Sequence, residues 1–260
     1  MFLDKTVLLD YYLVVKETIE INTLNDKASR TFLASKINCS FKEMNSRKIF
    51  QRIYRRNVFI FGASPTLEDD VKELKEILAG KHNVSVISAN GATEALINSG
   101  MYPDIVVTDL DGSFKAIFEA ALNGAVVVLH AHGDNILALR KYLDKLLPYS
   151  TFTTQLEPEG CLENFGGFTD GDRAVFLALK YGASRIFLVA MDFGEIVGKY
   201  SKPWLKSDVK VWEFKKKKFK IAKTFLAKYA SAMVFTVGKS RIEGVNVKHL
   251  NYSEVENIIQ

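Results

Sequence analysis

Residues 57–69 read NVFIFGASPTLED, and the fold turns on how that stretch is divided. NVFIFG (57–62) is a short, nearly continuous apolar run, as a strand covered on both faces requires. GASPTLED (62–69) is a glycine turn that opens a helix. Gly62 permits the tight turn, Pro65 suits a first helical turn, and Ser64 or Thr66 can serve as a plain N-cap. The exposed N–H groups of such a helix start can equally receive a phosphate or another anion. The loop has neither the G-K-[ST] of a Walker A motif nor the G-x-G-x-x-G of a dinucleotide fingerprint.

The same alternation continues downstream. Strands are predicted at NVSVIS (83–88), DIVVTD (104–109), AVVVLHA (125–131), TFTTQ (151–155), RIFLVAM (185–191) and MVFTVG (233–238). Helical spacing is predicted over 67–79, 92–98, 113–123, 135–147, 171–182, 212–232 and 252–259. Apolar strands alternating with helices specify an α/β fold of three layers, a mostly parallel sheet with helices on both faces. Upstream, DYYLVVKETIEI and DKASRTFLASKI have helix-like spacing, with Asp26 a plausible N-cap for the second. Residues 1–56 therefore read as a helical N-terminal region, and 57–260 as the α/β domain with a C-terminal helix–strand extension.

In open α/β sheets ligands bind outside the carboxyl ends of the strands. Five of the predicted strands finish there in polar clusters. TDLDG (108–112) is the most telling, because Asp109 and Asp111 place two like charges where a core strand ends, an arrangement that folding alone does not call for. Two residues apart in extended chain, they face the same way and can share one hard cation, with Mg²⁺ the best match. As plain structure, Asp109 would cap the next helix and Asp111 with Gly112 would make a turn.

In HAHGDN (130–135), His130 and His132 supply no third zinc ligand, so contact with a phosphate or a substrate hydroxyl fits them better than zinc. Asp134 and Asn135 stand at the next helix start. GGFTDGDRA (166–174) sits on another helix start, where Asp170 and Asp172 either cap the helix or hold metal-bound water or a donor-rich heterocycle. Gly166 and Gly167 allow close backbone approach, and Arg173 can pair with phosphate. MDFG (191–194) adds Asp192. In EFKKKKFKIAKTFLAKYA (213–230), Phe214, Ile221 and Phe225 mark the apolar side of a helix, and Lys216 or Lys220 can reach a triphosphate.

Composition narrows the class. The net charge of +5 is gathered largely in RKIFQRIYRR (47–56) and KKKKFK (215–220), which suit phosphorylated small molecules as well as nucleic acid. No window approaches about 18 consecutive apolar residues, and MFLDKTVLLDYYLVV carries Asp4 and Asp10 without a basic start, so a cytoplasmic protein with no membrane role is expected. The two cysteines, Cys39 and Cys161, lie far apart in sequence, which argues against a disulfide framework or a zinc site.

Taken in order, GASPTLE, VTDLDG, HAHGDN, GGFTDGDRA and MDFGEIVGKYS resemble the archaeal 6-hydroxymethyl-7,8-dihydropterin diphosphokinase family over about residues 57–230. The first loop departs from the family's usual G-x-G-P-S-L, with Ser64 and Thr66 where the second glycine and the serine would stand. The resemblance implies a catalytic domain similar to that of thiamine pyrophosphokinases, which also carry paired aspartates at a strand end. It implies a diphosphotransferase that moves a diphosphate from ATP to the reduced hydroxymethylpterin and releases AMP. It further implies Mg²⁺ on Asp109 and Asp111. Asp134, Asp170, Asp172 and Asp192 are candidates for orienting the hydroxyl, for a second metal shell, or for pairing with the pterin. Candidate contacts to nucleotide or substrate are Gly62, Ser64, His130, His132, Asn135, Gly167, Thr169 and Arg173. The thiamine-type likeness admits a homodimer.

A second reading is a nonulosonic-sugar transferase of the motility-associated type, usually a much longer protein, and the full GFTDGDRA motif favours the pterin enzyme. A thiamine pyrophosphokinase is a third, but its glycine-arginine-aspartate-histidine signature is missing. A nucleic-acid-binding module would leave the carboxylate-rich edge unexplained.

Overall fold

The computed structural model describes residues 13–20, 22–230 and 233–260; the helix expected over 10–21 begins outside them, and the one expected over 212–232 runs to their edge. After a helical stretch at 13–18 come two helices, α1 (Thr23–Lys36) and α2 (Cys39–Ile53). Strand–helix units follow as β1 (Asn57–Phe61), α3 (Leu67–Leu78), β2 (Val84–Ala89), α4 (Ala92–Asn98), β3 (Ile105–Thr108) and α5 (Phe114–Leu122). Then come β4 (Val126–Ala131), α6 (Ile136–Leu146), β5 (Ser150–Thr154), α7 (Asp170–Lys180) and β6 (Arg185–Val189). A two-residue hairpin, β7 (Ile196–Val197) with β8 (Val209–Lys210), leads to α8 (Glu213–Tyr229), β9 (Val234–Val237), β10 (Lys248–Leu250) and α9 (Tyr252–Ile258).

Eight strands make one sheet in the order β10-β9-β6-β1-β2-β3-β4-β5, with every neighbouring pair parallel. The strand order reverses at β1, which has β2 on one side and β6 on the other, and such a reversal opens a crevice at the carboxyl ends. Side chains of β1 alternate between two apolar layers. Phe59 and Phe61 join Phe187, Val71 and Leu74 on one face, while Val58 and Ile60 join Ile186, Leu188 and Val175 on the other. Phe59 stacks on Phe187 with ring centroids 4.5 Å apart, and Phe187 stacks on Phe235 at 5.5 Å. Burying each such ring contributes about 1.5–3 kcal/mol relative to exposure.

The helices before Asn57 share this core. Leu33 packs with Val106, Leu129 and Phe152, and Ile49 and Ile53 pack with Val58 and Ile60. Helix α1 begins earlier than its sequence suggested. Asn22, not Asp26, is the N-cap, accepting from Asn25 N, which leaves Asp26 inside the first turn and buried. Cys39 and Cys161 are disulfide-bonded with a Cα–Cα distance of 5.6 Å, contrary to expectation, because the start of α2 lies over the loop after β5 across 122 residues of sequence. The basic stretch 47–56 faces the opposite end of the sheet from the polar clusters. Arg52 donates to the Asp104 carbonyl and Arg56 to the His82 carbonyl, both ahead of strand starts. Among the described residues no helix is long and apolar enough to cross a membrane.

Candidate active site

Three strands, β2, β3 and β6, leave the sheet through non-glycine residues in the left-handed region: Asn90 (φ 45°), Leu110 (φ 67°) and Ala190 (φ 48°). Such strain persists only where the surroundings fix it, and it gathers at functional sites. Here it rims a cavity of about 310 Å³ at the carboxyl ends of the strands.

The carboxylate pair is held by a relay that starts in the backbone. Leu110 N donates to Thr108 Oγ1 (2.9 Å), and the Thr108 hydroxyl donates to Asn90 Oδ1 (2.9 Å). That fixes the Asn90 amide so that Nδ2 donates to Asp109 Oδ1 (3.1 Å) and also to Asp111 Oδ1. Asp111 N closes a local turn on Asp109 Oδ1 at 3.2 Å. One neutral amide thus holds two acids side by side. Neither caps α5, whose N-cap position belongs to Ser113.

His132 Nε2 lies 3.1 Å from Asp109 Oδ2. Burial pushes the Asp109 carboxyl up, but the hydrogen bond and charge of His132, with Lys202 and Lys218 behind it, outweigh burial and hold the group well below the usual carboxylate range. His130 is buried and kept neutral by that burial and by the nearby Arg173 charge; its Nδ1 has no hydrogen-bond partner. Asp170 is pushed the other way, well above the usual range, by enclosure in the cavity and then by the Asp109 charge. Asp192, half-buried, is also raised, chiefly by burial.

Of the residues the sequence singled out, Gly62, Ser64, Asp109, Asp111, His130, His132, Asp134, Thr169, Asp170 and Asp192 line this cavity. Asp134 stands at its exposed rim. Others lie behind the wall. Asp172 closes a capping box with Thr169 and also accepts Phe168 N, so its carboxylate is used up in starting α7. Asn135 Nδ2 ties the carbonyls of Asp109 (2.9 Å) and His130 (2.6 Å), which fastens the HAHGD loop to the end of β3. Arg173 is fully buried and donates to the Gly166 carbonyl (3.0 Å); Gly167 lies against the backbone of Arg173 itself rather than against the cavity. Thr66 occupies the N-cap position of α3 but donates to Asp70 instead of capping.

Four features were not named from the sequence. Asn90 and Gly91 line the cavity, although SANGA at the end of β2 is a turn signal on the same edge as the others. The N-terminal segment contributes Ile19, Glu20, Asn22 and Asp26. Asp26 accepts from Gly133 N (2.6 Å) and Gln155 Nε2 (2.7 Å), so α1 sets the histidine loop. Four phenylalanines, Phe168, Phe193, Phe214 and Phe219, form an apolar wall. The lysines that face the site are Lys202, Lys215 and Lys218. Lys216 instead pairs with Glu195 (3.2 Å) on the surface, and Lys220 is exposed.

A strap, residues 198–202, lies over the mouth in backbone-to-backbone contact. A Cβ added at Gly198 would sit 2.6 Å from the Ala63 carbonyl oxygen, and one added at Gly91 would collide with the Tyr200 carbonyl. From this strap Lys202 Nζ reaches Asp111 Oδ2, and Lys215 Nζ donates to Ser201 Oγ at 2.6 Å.

With that geometry in view, a family model described as 6-hydroxymethylpterin diphosphokinase MptE-like matches residues 32–198. The chain belongs to that MptE-like family. The match takes in the carboxylates and histidines, and Lys202, Lys215 and Lys218 lie beyond it. Three relatives of this MptE-like chain are each named 6-hydroxymethyl-7,8-dihydropterin pyrophosphokinase. That of Methanothermobacter thermautotrophicus is 54% identical over 58% of this chain and 63% of its own length. That of Pyrococcus furiosus is 42% identical over 83% of this chain and 89% of its own. That of Methanocaldococcus jannaschii is 41% identical over 69% and 76% respectively. Among solved structures, the MAf glycosyltransferase of Magnetospirillum magneticum aligns with a TM-score of 0.50 at 17% identity, over 84% of this chain and 39% of that one. At that identity the likeness is one of fold alone.

Proposed function

We propose that the protein transfers a diphosphate from ATP to 6-hydroxymethyl-7,8-dihydropterin, giving the pterin diphosphate and AMP. One observation carries the reading: a single cavity gathers two neighbouring carboxylates, three lysines, the enclosed Asp170 and four phenylalanines. The carboxylates and lysines suit a triphosphate, and Asp170 with the phenylalanines a flat, donor-rich heterocycle.

The donor set fits Mg²⁺. It offers hard carboxylate oxygens, and among the described residues no three His, Cys, Asp or Glu side chains are arranged to hold a metal by themselves. Two carboxylates plus substrate phosphates are what Mg²⁺ usually takes. Asp109 and Asp111 would hold it, and when bound it would neutralise charge on the phosphates.

The chain's own residues do the rest. The Asn90 relay keeps the two acids together before ligand arrives, so little reorganisation is needed. The pterin edge offers N–H donors, which would favour the ionised form of Asp170 and offset the burial that raises its pKa. The phenylalanine wall would stack the ring and exclude water. The substrate hydroxyl oxygen bonds to the β-phosphorus as the bond to the α,β-bridging oxygen breaks, and that oxygen leaves with AMP. Asp192, with its raised pKa, is suited to take the hydroxyl proton.

Incubated with ATP, MgCl₂ and the reduced hydroxymethylpterin, the protein is expected to yield AMP and pterin diphosphate in equal amounts. Chromatography of the nucleotides checks this; ADP in place of AMP would overturn the reading.

A proton signature should accompany nucleotide binding. Burial, then Lys202 and Lys218, pull the Lys215 ammonium down from 10.5 to about 8. In the free protein this lysine therefore weakens the fold below about pH 8, and the penalty fades as pH rises from there toward the ordinary lysine value. A bound triphosphate would raise its pKa again, so ATP affinity should fall as pH climbs above about 8, and binding near pH 8 should take up roughly half a proton. Calorimetry in two buffers of different ionisation enthalpy measures that uptake, and Lys215→Met should abolish it.

A further inference from the structure

The cations of this site are arranged unequally. Lys202 is paired with Asp111, with its side chain only 17% exposed. Lys215 meets the neutral Ser201 hydroxyl, and Lys218 lies over the Phe168 and Phe214 rings at 5.7 and 5.2 Å. Among the described residues neither Lys215 nor Lys218 has a carboxylate within ion-pair distance. Grouping three ammonium ions in a recess is unfavourable unless anions answer them. Only one of the three is answered by a salt bridge here, and its partner is one of the two acids suited to a metal ion.

We propose that Lys202 is a resident cation of Asp111 that passes to the triphosphate when metal and nucleotide enter, and that with Lys215 and Lys218 it forms the seat for the phosphates. The inference rests on the nucleotide reading above and goes further by assigning the exchange to one side chain. The strap is held against the β1 and β2 turns through Gly198, Tyr200 and Ser201, directly before Lys202, so the ammonium released from Asp111 stays in the cavity beside the other two lysines. It is then matched only by an incoming anion. Metal alone must displace Lys202 and leave it unpaired, whereas metal with nucleotide exchanges one pairing for another. Metal and nucleotide therefore bind with positive coupling, and Lys202 adds to what direct metal–phosphate contact supplies.

The test measures Mn²⁺ binding by electron paramagnetic resonance on the full chain, with and without α,β-methylene ATP, for wild type, Lys202→Met and Lys215→Met. Lys202→Met should bind Mn²⁺ alone about fivefold more tightly and the analogue about tenfold more weakly, and so reduce the coupling to what metal and phosphates supply by themselves. Lys215→Met should weaken the analogue while changing Mn²⁺ alone far less than Lys202→Met does, because Lys215 acts on the acids only through space and forms no salt bridge with them. If Lys202→Met binds both probes as wild type does, or gains Mn²⁺ affinity without losing the analogue, the exchange is overturned while the diphosphotransfer reading stands on its AMP product. A wild-type chain that binds neither probe overturns both.

Discussion

Asp109→Asn and Asp111→Asn are each expected to lower turnover by ~10³-fold or more while the chain stays folded. The geometry behind this is the shared Asn90 amide, which keeps the two acids close enough to serve one cation. Because they act as a unit, the double variant should fall no more than roughly threefold below the weaker single variant. Independent roles would instead multiply the two losses. Stability changes are expected to be small. Asp109 is held below the usual carboxylate range, so its charge adds stability above that range, and the contribution is lost as pH falls through the depressed value. Asparagine removes that contribution, but it keeps an oxygen for Asn90 and Asp111 N and lifts the charge that helps raise Asp170. Asp134→Asn is the control, expected to stay within about threefold of wild type because Asp134 stands at the exposed rim. Steady-state kinetics with thermal melts decide the matter, and near-normal turnover in both single variants would remove the carboxylate pair from the mechanism.

The sheet was legible because strands buried in a parallel sheet read as runs of apolar and β-branched residues, and β1 through β6 and β9 all show that pattern, β5 (STFTT) mainly through its threonines. β10 does not. It is a three-residue edge strand, Lys248–Leu250, with one buried side chain, so nothing in its spacing separates it from a loop. The β7–β8 hairpin, two residues a side, leaves no period to read.

Within the site, the acids were visible because like charges at a strand end conflict with folding. The residue that reconciles them, Asn90, is neutral, and its role appears only when β2 and β3 are paired. Asp172, read as a cap or a holder of metal-bound water or a heterocycle, and Arg173, read as a phosphate partner, are claimed by local helix capping and burial. The lysine was misjudged by helical phase. Positions 214, 221 and 225 were read as one side of α8, and a 3.6-residue period puts 218 on that same side, not 216 or 220. Ile221 and Phe225 are buried, and Lys218 with Phe214 faces the cavity.

Gly91→Ala should separate the strap from the fold that supports it. Gly91 has φ −61° and ψ −26°, a backbone any residue adopts, so alanine is not strained there and α4 can form as before. The new methyl instead meets the Tyr200 carbonyl, and backbone cannot rotate away as a side chain would. The strap must lift, taking Ser201 and Lys202 with it. Overpacking of this kind costs about 1–3 kcal/mol, with a fall in Tm of roughly 2–4 °C per kcal/mol in a chain of this size. The kinetic effect should be larger, about a hundredfold in kcat/KM, and should fall mainly on KM for ATP, since the anion seat moves while the carboxylates stay. Gly80→Ala provides the comparison. Its φ of +71° makes alanine strained, but nothing lies within 4 Å of the added Cβ. It should lose about 1 kcal/mol of stability and keep wild-type kinetics. Two glycine variants of similar stability, one with kcat/KM for ATP about a hundredfold down and one unchanged, would tie nucleotide use to the position of the strap. Gly91→Ala with kcat/KM within about threefold of wild type would show that the strap can move without consequence, and Lys202 would then have no part in holding nucleotide.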